Sequence, residues 1–479
     1  MRKKSGQTAA PVIVWFRDDL RLADQASLAA AVATGQPVAP VFVLDDTGPC
    51  PLGGAARWWL HHSLASLARD LTAKGGALTM RRGSAVEIIP ALARELGASA
   101  VFTGGLAAPA ARATDRAIAD CLAEGGARFH RMRTTTLFAP DQIRTKAGGP
   151  FSVYTPFAQA CLAGAPVHAA LEAPTVLLPA PVLRSDRLED WNLTPSHPNW
   201  AGGLRDTWTP GEAGAHRRLE HFLASIVASY ATGRDLPGID GTSMLSPHVR
   251  FGEISPAQVF HAVRARAVGE GGEKFIREIL WREFSHHLLW HHPTMPEAPL
   301  RPAFAAMPWR DDPAALRAWQ RGRTGIPIVD AGMRQLWRTG WMHNRVRMIV
   351  ASFLVKHLLI DWRAGQAWFW DTLVDADLAN NSASWQWIAG SGMDAAPFFR
   401  IFNPVLQGEK FDPDGAYVRR FVPELGMLDT KHVHAPWKAP AGLVPTSVYP
   451  APVVDLAGGR ARALAAFAAA RGRSVSFPS

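Results

Sequence analysis

The sequence predicts an α/β parallel-sheet, Rossmann-like N-terminal domain followed by an all-α C-terminal domain. Three observations lead there. Through residue 135, short β-branched runs alternate with segments carrying apolar residues at helical spacing, the rhythm of a parallel sheet covered by helices on both faces. From about Ala139 to Pro210 the composition shifts to Pro, Ser, Thr and Gly with weak periodicity, which reads as a connector. After Gly211 the patterns are almost wholly helical. The resulting division is 1–138 for the α/β domain, 139–210 for the connector and 211–479 for the helical domain.

In chain order, Val12–Phe16, Val38–Leu44, Ala77–Met80, Ala100–Thr103 and Arg128–Met132 read as strands, with helical segments such as Ser84–Leu96 between them. The start, Met1 to Lys4 and then Thr8 to Phe16, has the outline of a signal peptide. Pro11 interrupts its apolar stretch, however, and Arg17, Asp18 and Asp19 stand where small residues would mark a cleavage site. It therefore reads as a disordered start feeding a buried strand. Sheets of this kind bind ligands at the carboxyl ends of their strands, yet the first strand runs into Arg17-Asp18-Asp19-Leu20-Arg21-Leu22 and not into G-x-G-x-x-G. A standard NAD site is not expected. Pro174, Pro179, Pro181, Pro195 and Pro198 punctuate the connector. Beyond it, Ser246-Pro247 and Ser255-Pro256 look like helix starts, the serine capping free amides and the proline fitting the first turn. The last helical stretch is Gly458 to Arg471, a few residues before the sequence ends at Ser479.

Composition narrows the function. The chain has 479 residues, 48% apolar and 19% charged, enough for two to four cores. The best apolar run, Met348 to Ile360, is broken by Lys356 and His357 and falls short of the roughly 18 residues of a membrane span. Cys50, Cys121 and Cys161 are too few for a disulfide framework and one short of four thiolates for an iron–sulfur cluster, so a reduced, cytoplasmic compartment is expected. The net charge of +10 fits either a polyanionic partner or a merely basic soluble enzyme. Lys plus Arg exceeds Asp plus Glu by 20 to 16 through Trp200 and by 31 to 25 afterwards, so the excess is no basic tail. Tryptophan is unusual: 18 residues, of which 11 lie between Trp281 and Trp387 beside polar motifs.

Those motifs carry the candidate chemistry. Glu278, Trp281, Arg282 and Ser285 stand at i, i+3, i+4 and i+7, one helical stripe of acid, indole, guanidinium and hydroxyl, which is either a solvated face or a lined site. Asn344, Arg347 and Met348 share a face, with Asn344 alternatively a helix cap. Gly241 to Pro247 concentrates hydroxyls and amides before a helix start, where diphosphates are stabilised and where ordinary caps also occur. Asp375 to Trp387 combines two carboxylates and two amides with two indoles in a segment without clear periodicity; a carboxylate there either does acid–base work or pairs with Arg345 or Arg347. His287 and His291 have the i, i+4 spacing of metal ligands, but no Cys or H-E-x-x-H context accompanies them and no metal is expected.

Together these residues resemble the DNA photolyase and cryptochrome family, specifically its bacterial members acting on cyclobutane pyrimidine dimers. The likeness runs over nearly the whole chain: Trp15-Phe16-Arg17-x-Asp19-Leu20-Arg21, Thr242-Ser243-x-Leu245-Ser246-Pro247, Trp281-Arg282-Glu283-Phe284, Gly340-Trp341-Met342-His343-Asn344-Arg345, Asp375-x-Asp377 and Phe399-Arg400-Ile401-Phe402-Asn403-Pro404. The resemblance implies an antenna domain, a connector and a helical domain holding bent FAD. Tyr230, Thr242, Ser243, Met244, Leu245, Ser246, Arg282, Ser285, Asn344, Arg347, Asp375 and Asp377 match its flavin contacts, and Asn380 would face the flavin's N5. Plant cryptochromes have an aspartate there, so asparagine favours a repair enzyme whose flavin stays fully reduced.

By the same resemblance, Glu278, Trp281, Asn344, Met348 and Trp387 line the pocket for a flipped-out dimer, with Glu278 bonding the damaged base and stabilising arriving charge. Arg234, Arg345, Arg400 and Lys410 contact phosphates. Trp385, Trp362 and Trp309 form the chain of indoles that photoreduces oxidised flavin, and light-excited reduced FAD splits the dimer with no net oxidation. Enzymes repairing 6-4 photoproducts carry histidines at the positions of Asn344 and Met348, so the cyclobutane substrate is favoured. Where folate-binding relatives show an Asn-Glu pair, Gly104 to Ala113 has none, which argues against a methenyltetrahydrofolate antenna and leaves another chromophore or an empty pocket. The expected partner is UV-damaged DNA, with no obligate protein partner and a monomeric chain. A blue-light photoreceptor, a 6-4 photolyase and a nucleotide-binding protein without photochemistry are the competing readings.

Overall fold

The computed structural model describes residues 10–473 apart from 165, 267, 268, 396 and 441. Strands β1 (Val12–Phe16), β2 (Val38–Leu44), β3 (Thr79–Arg82), β4 (Ala100–Gly104) and β5 (Arg128–Met132) form one sheet in the order β3-β2-β1-β4-β5. All neighbours are parallel, because each return passes through a helix: α1 (Ala26–Ala33), α2 (Gly54–Ala73), α3 (Ala85–Leu96) or α4 (Pro109–Glu124). Alternate residues of a strand face opposite sides. Val12, Val14 and Phe16 pack with Leu28 of α1 and with Trp58 and Trp59 of α2, whereas Ile13 and Trp15 pack with Ile89 of α3 and Ile118 of α4. Both faces are covered, and β1, β2 and β4 are buried throughout.

The third strand starts two residues later than its hydrophobicity predicts and runs on to Arg82. Its polar end is an edge whose backbone is held by the connector: Arg82 N donates to Asp186 Oδ2 at 2.9 Å and Asp186 N to Met80 O at 2.7 Å. The region 139–210 is irregular over long stretches, yet it also forms α5 (Tyr154–Ala163), a tight turn at Leu188–Trp191 and α6 (Gly202–Thr207).

The α-helices of the remaining described chain are α7 (Glu212–Ser225), α8 (Tyr230–Gly233), α9 (Ser246–Arg250), α10 (Pro256–Arg266), α11 (Glu270–His291), α12 (Pro313–Gln320), α13 (Pro327–Thr339), α14 (Asn344–Ser352), α15 (Trp362–Thr372), α16 (Leu378–Ala389), α17 (Pro404–Phe411), α18 (Ala416–Phe421) and α19 (Leu456–Arg473), with irregular stretches within 292–312, 390–403 and 422–455. Among the described residues no helix is long and apolar enough to cross a membrane. Ser255 caps α10 as predicted, its Oγ accepting from Gln258 N at 2.9 Å while Gln258 Oε1 accepts from Ser255 N at 2.8 Å. Ser246 does not cap α9. The chain turns at Met244, with φ of +48°, and enters the helix one residue early, so Leu245 holds the cap position and Ser246 Oγ accepts from Trp341 Nε1 at 3.2 Å. The segment 375–387, aperiodic by sequence, is mostly α16: Asp377 caps it by accepting from Asn380 N at 2.8 Å, and apolar contacts on several sides erase the amphipathic pattern.

The sheet domain and the helical domain are joined through buried polar contacts. Arg21 donates to Gly252 O at 2.9 Å, and Trp59 Nε1 donates to Glu253 Oε1 at 3.0 Å. Gly252, at φ of +64°, lies where a Cβ would overlap the backbone of Asp18 and Asp19, so only glycine allows this approach. Two large apolar cores fill the helical part, one around α5, α7, α10 and α11 and one around α13 to α16 and α18, with a smaller cluster where Phe304, Leu359 and Phe398 meet α19.

Candidate active site

A cavity of about 620 Å³ opens between those two cores, within the size range of cofactor sites. Helix α11 supplies one wall. Its 3.6-residue period brings Glu278, Trp281, Arg282 and Ser285 onto the cavity together, while Phe284 and Leu288, also on the lining, anchor the helix in the apolar core. Trp281 is held by a partner from the connector: the Tyr154 ring stacks on it at 3.7 Å between centroids and 6° between planes. Glu278 is paired with Arg234.

Helix α14 forms the opposite wall. Its cap is His343, whose Nδ1 accepts from Arg345 N at 3.2 Å, so the side chain of Asn344 is not used for capping and lines the cavity with Arg345, Arg347 and Met348. Burial, only partly offset by Asp235, pushes the His343 imidazole down to about 4, consistent with a neutral ring that accepts. Arg347 makes a two-pronged pair with Asp375, at 3.1 and 2.8 Å. Arg345 instead reaches Asp235 at 2.8 Å and lies over the Phe411 ring.

The 242–246 loop, with Thr242, Ser243, Met244, Leu245 and Ser246 all on the cavity, is held from behind by Arg218, which donates to Thr242 O at 3.0 Å and Ser243 O at 2.7 Å. Met244's left-handed backbone is the sort of local strain that persists where surroundings over-determine a conformation. Tyr230 is buried on the same side, and burial pushes its hydroxyl well above the usual phenol range, so it stays un-ionised.

Charge in the floor is specific. Burial raises Asp377's tendency to hold a proton, but the charges around it win, and its carboxyl is lowered to about 2 by His286, Arg282 and Arg250. His286 is itself pushed down to about 4 by burial, so at neutral pH the two arginines are the cations that keep Asp377 ionised. Arg250 spans the domains, pairing with Asp18 at 2.9 Å and donating to Ala376 O at 2.5 Å. Asp377 Oδ1 also accepts from Asn380 Nδ2 at 2.7 Å.

Of the residues singled out by sequence, Trp362, Trp309, Arg400 and Lys410 lie off the cavity lining. Trp385 borders it and is buried, Trp362 is fully buried and Trp309 half-buried, so the three grade from cavity to surface. Arg400 and Lys410 are exposed. Sequence reasoning missed Tyr154, Arg250, Lys274 and Asn381. Asn381 lines the cavity with its amide donating to Gln366 O at 3.0 Å, and the neighbouring amides in the 375–387 motif were the signal available for it. The histidine series has structural work: His287 Nδ1 faces Pro140 O at 3.0 Å and its Nε2 accepts from Phe151 N at 3.0 Å. At the carboxyl edge of the sheet, Arg112 lies 4.0 Å over Trp290 and Arg131 5.6 Å from the same ring, closing α4 against α11.

The donor set fits a flavin dinucleotide: guanidinium and hydroxyl groups for a diphosphate, and carboxylates for ribityl or ring N–H groups. Residues 275–469 match the family model for the FAD binding domain of DNA photolyase, and residues 12–178 match that for DNA photolyase. The chain is 51% identical to the deoxyribodipyrimidine photo-lyase of Agrobacterium fabrum, covering 96% of this chain and 98% of that one. It is 38% identical to cryptochrome-1 of Arabidopsis thaliana over 94% of this chain and 69% of that one. The crystal structure of a class III photolyase from Agrobacterium tumefaciens superposes with a TM-score of 0.95 at 50% identity, over 98% of this chain and 99% of that one. The chain belongs to the DNA photolyase and cryptochrome family, and FAD is its cofactor.

Proposed function

We propose that this chain is a deoxyribodipyrimidine photo-lyase that repairs cyclobutane pyrimidine dimers in UV-damaged DNA, acting in the cytoplasm as a monomer. The observation that carries the reading is that Glu278 and Trp281 from one wall, Asn344 and Met348 from the opposite wall, and Trp387 line the same cavity as the candidate flavin contacts. Bound and fully reduced, FAD supplies on illumination the electron that opens the cyclobutane ring and receives it back.

The chain's own residues bind and orient. Thr242 to Ser246, Arg282 and Ser285 bind the cofactor's polar groups, Tyr230 closes that side, and Arg347–Asp375 and Asp377 fix the floor. An amide of α16 faces the flavin ring. Asn380, the position matched in sequence, donates its NH₂ to Asp377, and Asn381, one turn before Trp385 on the helix's buried face, donates its own to Gln366 O; both line the cavity, so the role falls to this adjacent pair. The Trp281 indole, backed by Tyr154, and Trp387 offer stacking surfaces to a flipped base pair. Glu278 accepts from the base. Arg234 and Arg345, together with the exposed Arg400 and Lys410, meet the phosphates. In the free chain Arg234 is paired with Glu278 and Arg345 with Asp235, so docking exchanges internal ion pairs for DNA contacts. Trp385, Trp362 and Trp309 carry electrons inward to oxidised flavin. The neutral amide and thioether of Asn344 and Met348, in place of imidazoles, favour the cyclobutane lesion over the 6-4 product.

The test is repair of defined lesions. Light-dependent restoration of a thymine-dimer oligonucleotide, without repair of a 6-4 photoproduct oligonucleotide, is the expected result. FAD bound and photoreducible with neither lesion repaired would favour the photoreceptor reading.

A further inference from the structure

Lys356 is only 2% exposed, a rare state for lysine unless the charge is paired. It sits in a single widened helical turn, Phe353–His357, closed by a hydrogen bond from Leu358 N to Phe353 O at 3.1 Å; such π turns inside helices recur at functional positions. No carboxylate among the described residues lies within ion-pair distance of it. Its contacts go to one place instead: Nζ donates to Arg400 O at 2.9 Å and lies 5.4 Å from the Phe398 ring. The nearby cations give no compensation, since Arg462 donates to His357 O at 2.8 Å from α19 and Arg400 itself carries a positive charge.

Burying an ammonium costs several kcal/mol, and an apolar side chain of similar size would pack there more cheaply. What the ammonium holds is the loop between α16 and α17. That loop leaves the cavity at Met393, carries Phe399, 63% exposed, and Arg400 at its tip, and ends at Asn403, which caps α17 by accepting from Val405 N at 3.0 Å. Under the tip Phe398 and Lys356 are buried; above it the Phe399 ring and the Arg400 guanidinium face solvent.

We infer that Lys356 is a positioning residue for DNA: from inside the helical core it fixes the backbone of the Phe398–Arg400 tip, so that Phe399 and Arg400 meet damaged DNA already in place. This rests on the DNA-contact role proposed for Arg400. A rim ordered in advance spares the ordering cost that association otherwise bears.

The experiment uses the full FAD-loaded chain and a dimer-containing duplex. Lys356→Met is expected to weaken duplex binding about tenfold, to leave single-turnover repair at saturating DNA and flavin photoreduction unchanged, and Lys356→Gln, which keeps a donor without the charge, to recover most of the affinity. Equal affinity of wild type and Lys356→Met, both folded and flavin-loaded, would overturn the inference. Should Lys356→Met not fold, hydrogen exchange in the wild-type chain decides: slow exchange at the Arg400 and Ile401 amides before DNA is added supports a pre-fixed tip, and fast exchange that slows only on DNA binding contradicts it. A wild-type chain that does not prefer the dimer duplex refutes the proposed repair function, a separate outcome that leaves the exchange result readable.

Discussion

Gly365 on α15 lies directly against the indole of Trp385 on α16: a Cβ added at Gly365 would overlap the ring atoms Cη2, Cζ3 and Cζ2. Trp385 borders the cavity, and Gly365 is one turn beyond Trp362 on the same helix. The missing side chain is what lets the inner indole rest on the backbone of the helix that carries the next one.

Gly365→Ala is therefore expected to displace Trp385, with an overpacking cost of about 1–3 kcal/mol, and to slow photoreduction of oxidised FAD much more than repair by chemically reduced enzyme. Trp362→Phe is expected to block photoreduction and spare that repair. Transient absorption after a flash, beside repair assayed with dithionite-reduced protein, checks both; unaltered photoreduction in Trp362→Phe would remove it from the relay.

Trp281→Ala takes away the ring that Tyr154 supports. Base stacking on an aromatic side chain is worth about 1–3 kcal/mol, so discrimination between dimer-containing and undamaged DNA is expected to fall about tenfold. Tyr154→Leu, one shell further out, is expected to give a smaller loss of the same kind. Competition binding with the two duplexes measures it, and intact discrimination in Trp281→Ala would exclude stacking there.

The two amides of α16 separate by substitution. Asn381→Asp is expected to alter the absorption of bound FAD after illumination, because its side chain lies on the buried cavity face beside Trp385. Asn380→Asp sets a carboxylate against the ionised Asp377 and is expected chiefly to loosen FAD retention. The reverse pattern would assign the ring-facing role to Asn380.

Glu283 gives a pH dependence. Burial pushes its carboxyl up to about 7, against the pull of Arg282 and of the Leu137 and Phe138 amides that it accepts at 2.8 and 3.2 Å. Because the folded state holds this proton more tightly than the unfolded chain, the stabilisation is complete below about 4.5 and is lost as pH rises through about 7. The span corresponds to at most about 3 kcal/mol. Thermal unfolding of the wild type should weaken between pH 5 and pH 8 relative to Glu283→Gln, and parallel curves for the two would show that the group does not titrate there.

Much of this was legible in the sequence, for identifiable reasons. Strands β1, β2 and β5 kept their predicted limits because each is bounded by turn-forming residues, whereas β3 shifted because its polar end is stabilised by Asp186, about 100 residues away in the chain. The α11 stripe was readable because one helical period carries all four side chains. Tyr154 and Arg250 were not, since each acts by tertiary approach: Tyr154 from the irregular connector, Arg250 by bridging Asp18 and the Ala376 carbonyl. Helix α16 was obscured because it is buried on several faces and its start depends on the Asp377 cap.

The central claim is that the cavity joins a flavin to a dimer pocket for light-driven repair. Its most direct measurement is blue-light repair of a defined thymine-dimer oligonucleotide by the purified, reduced chain, beside a dark control and a 6-4 photoproduct oligonucleotide. The account predicts restoration of the thymine dimer alone, and only in light. Repair in the dark, or a flavin-loaded and photoreducible chain that restores neither lesion, would contradict it.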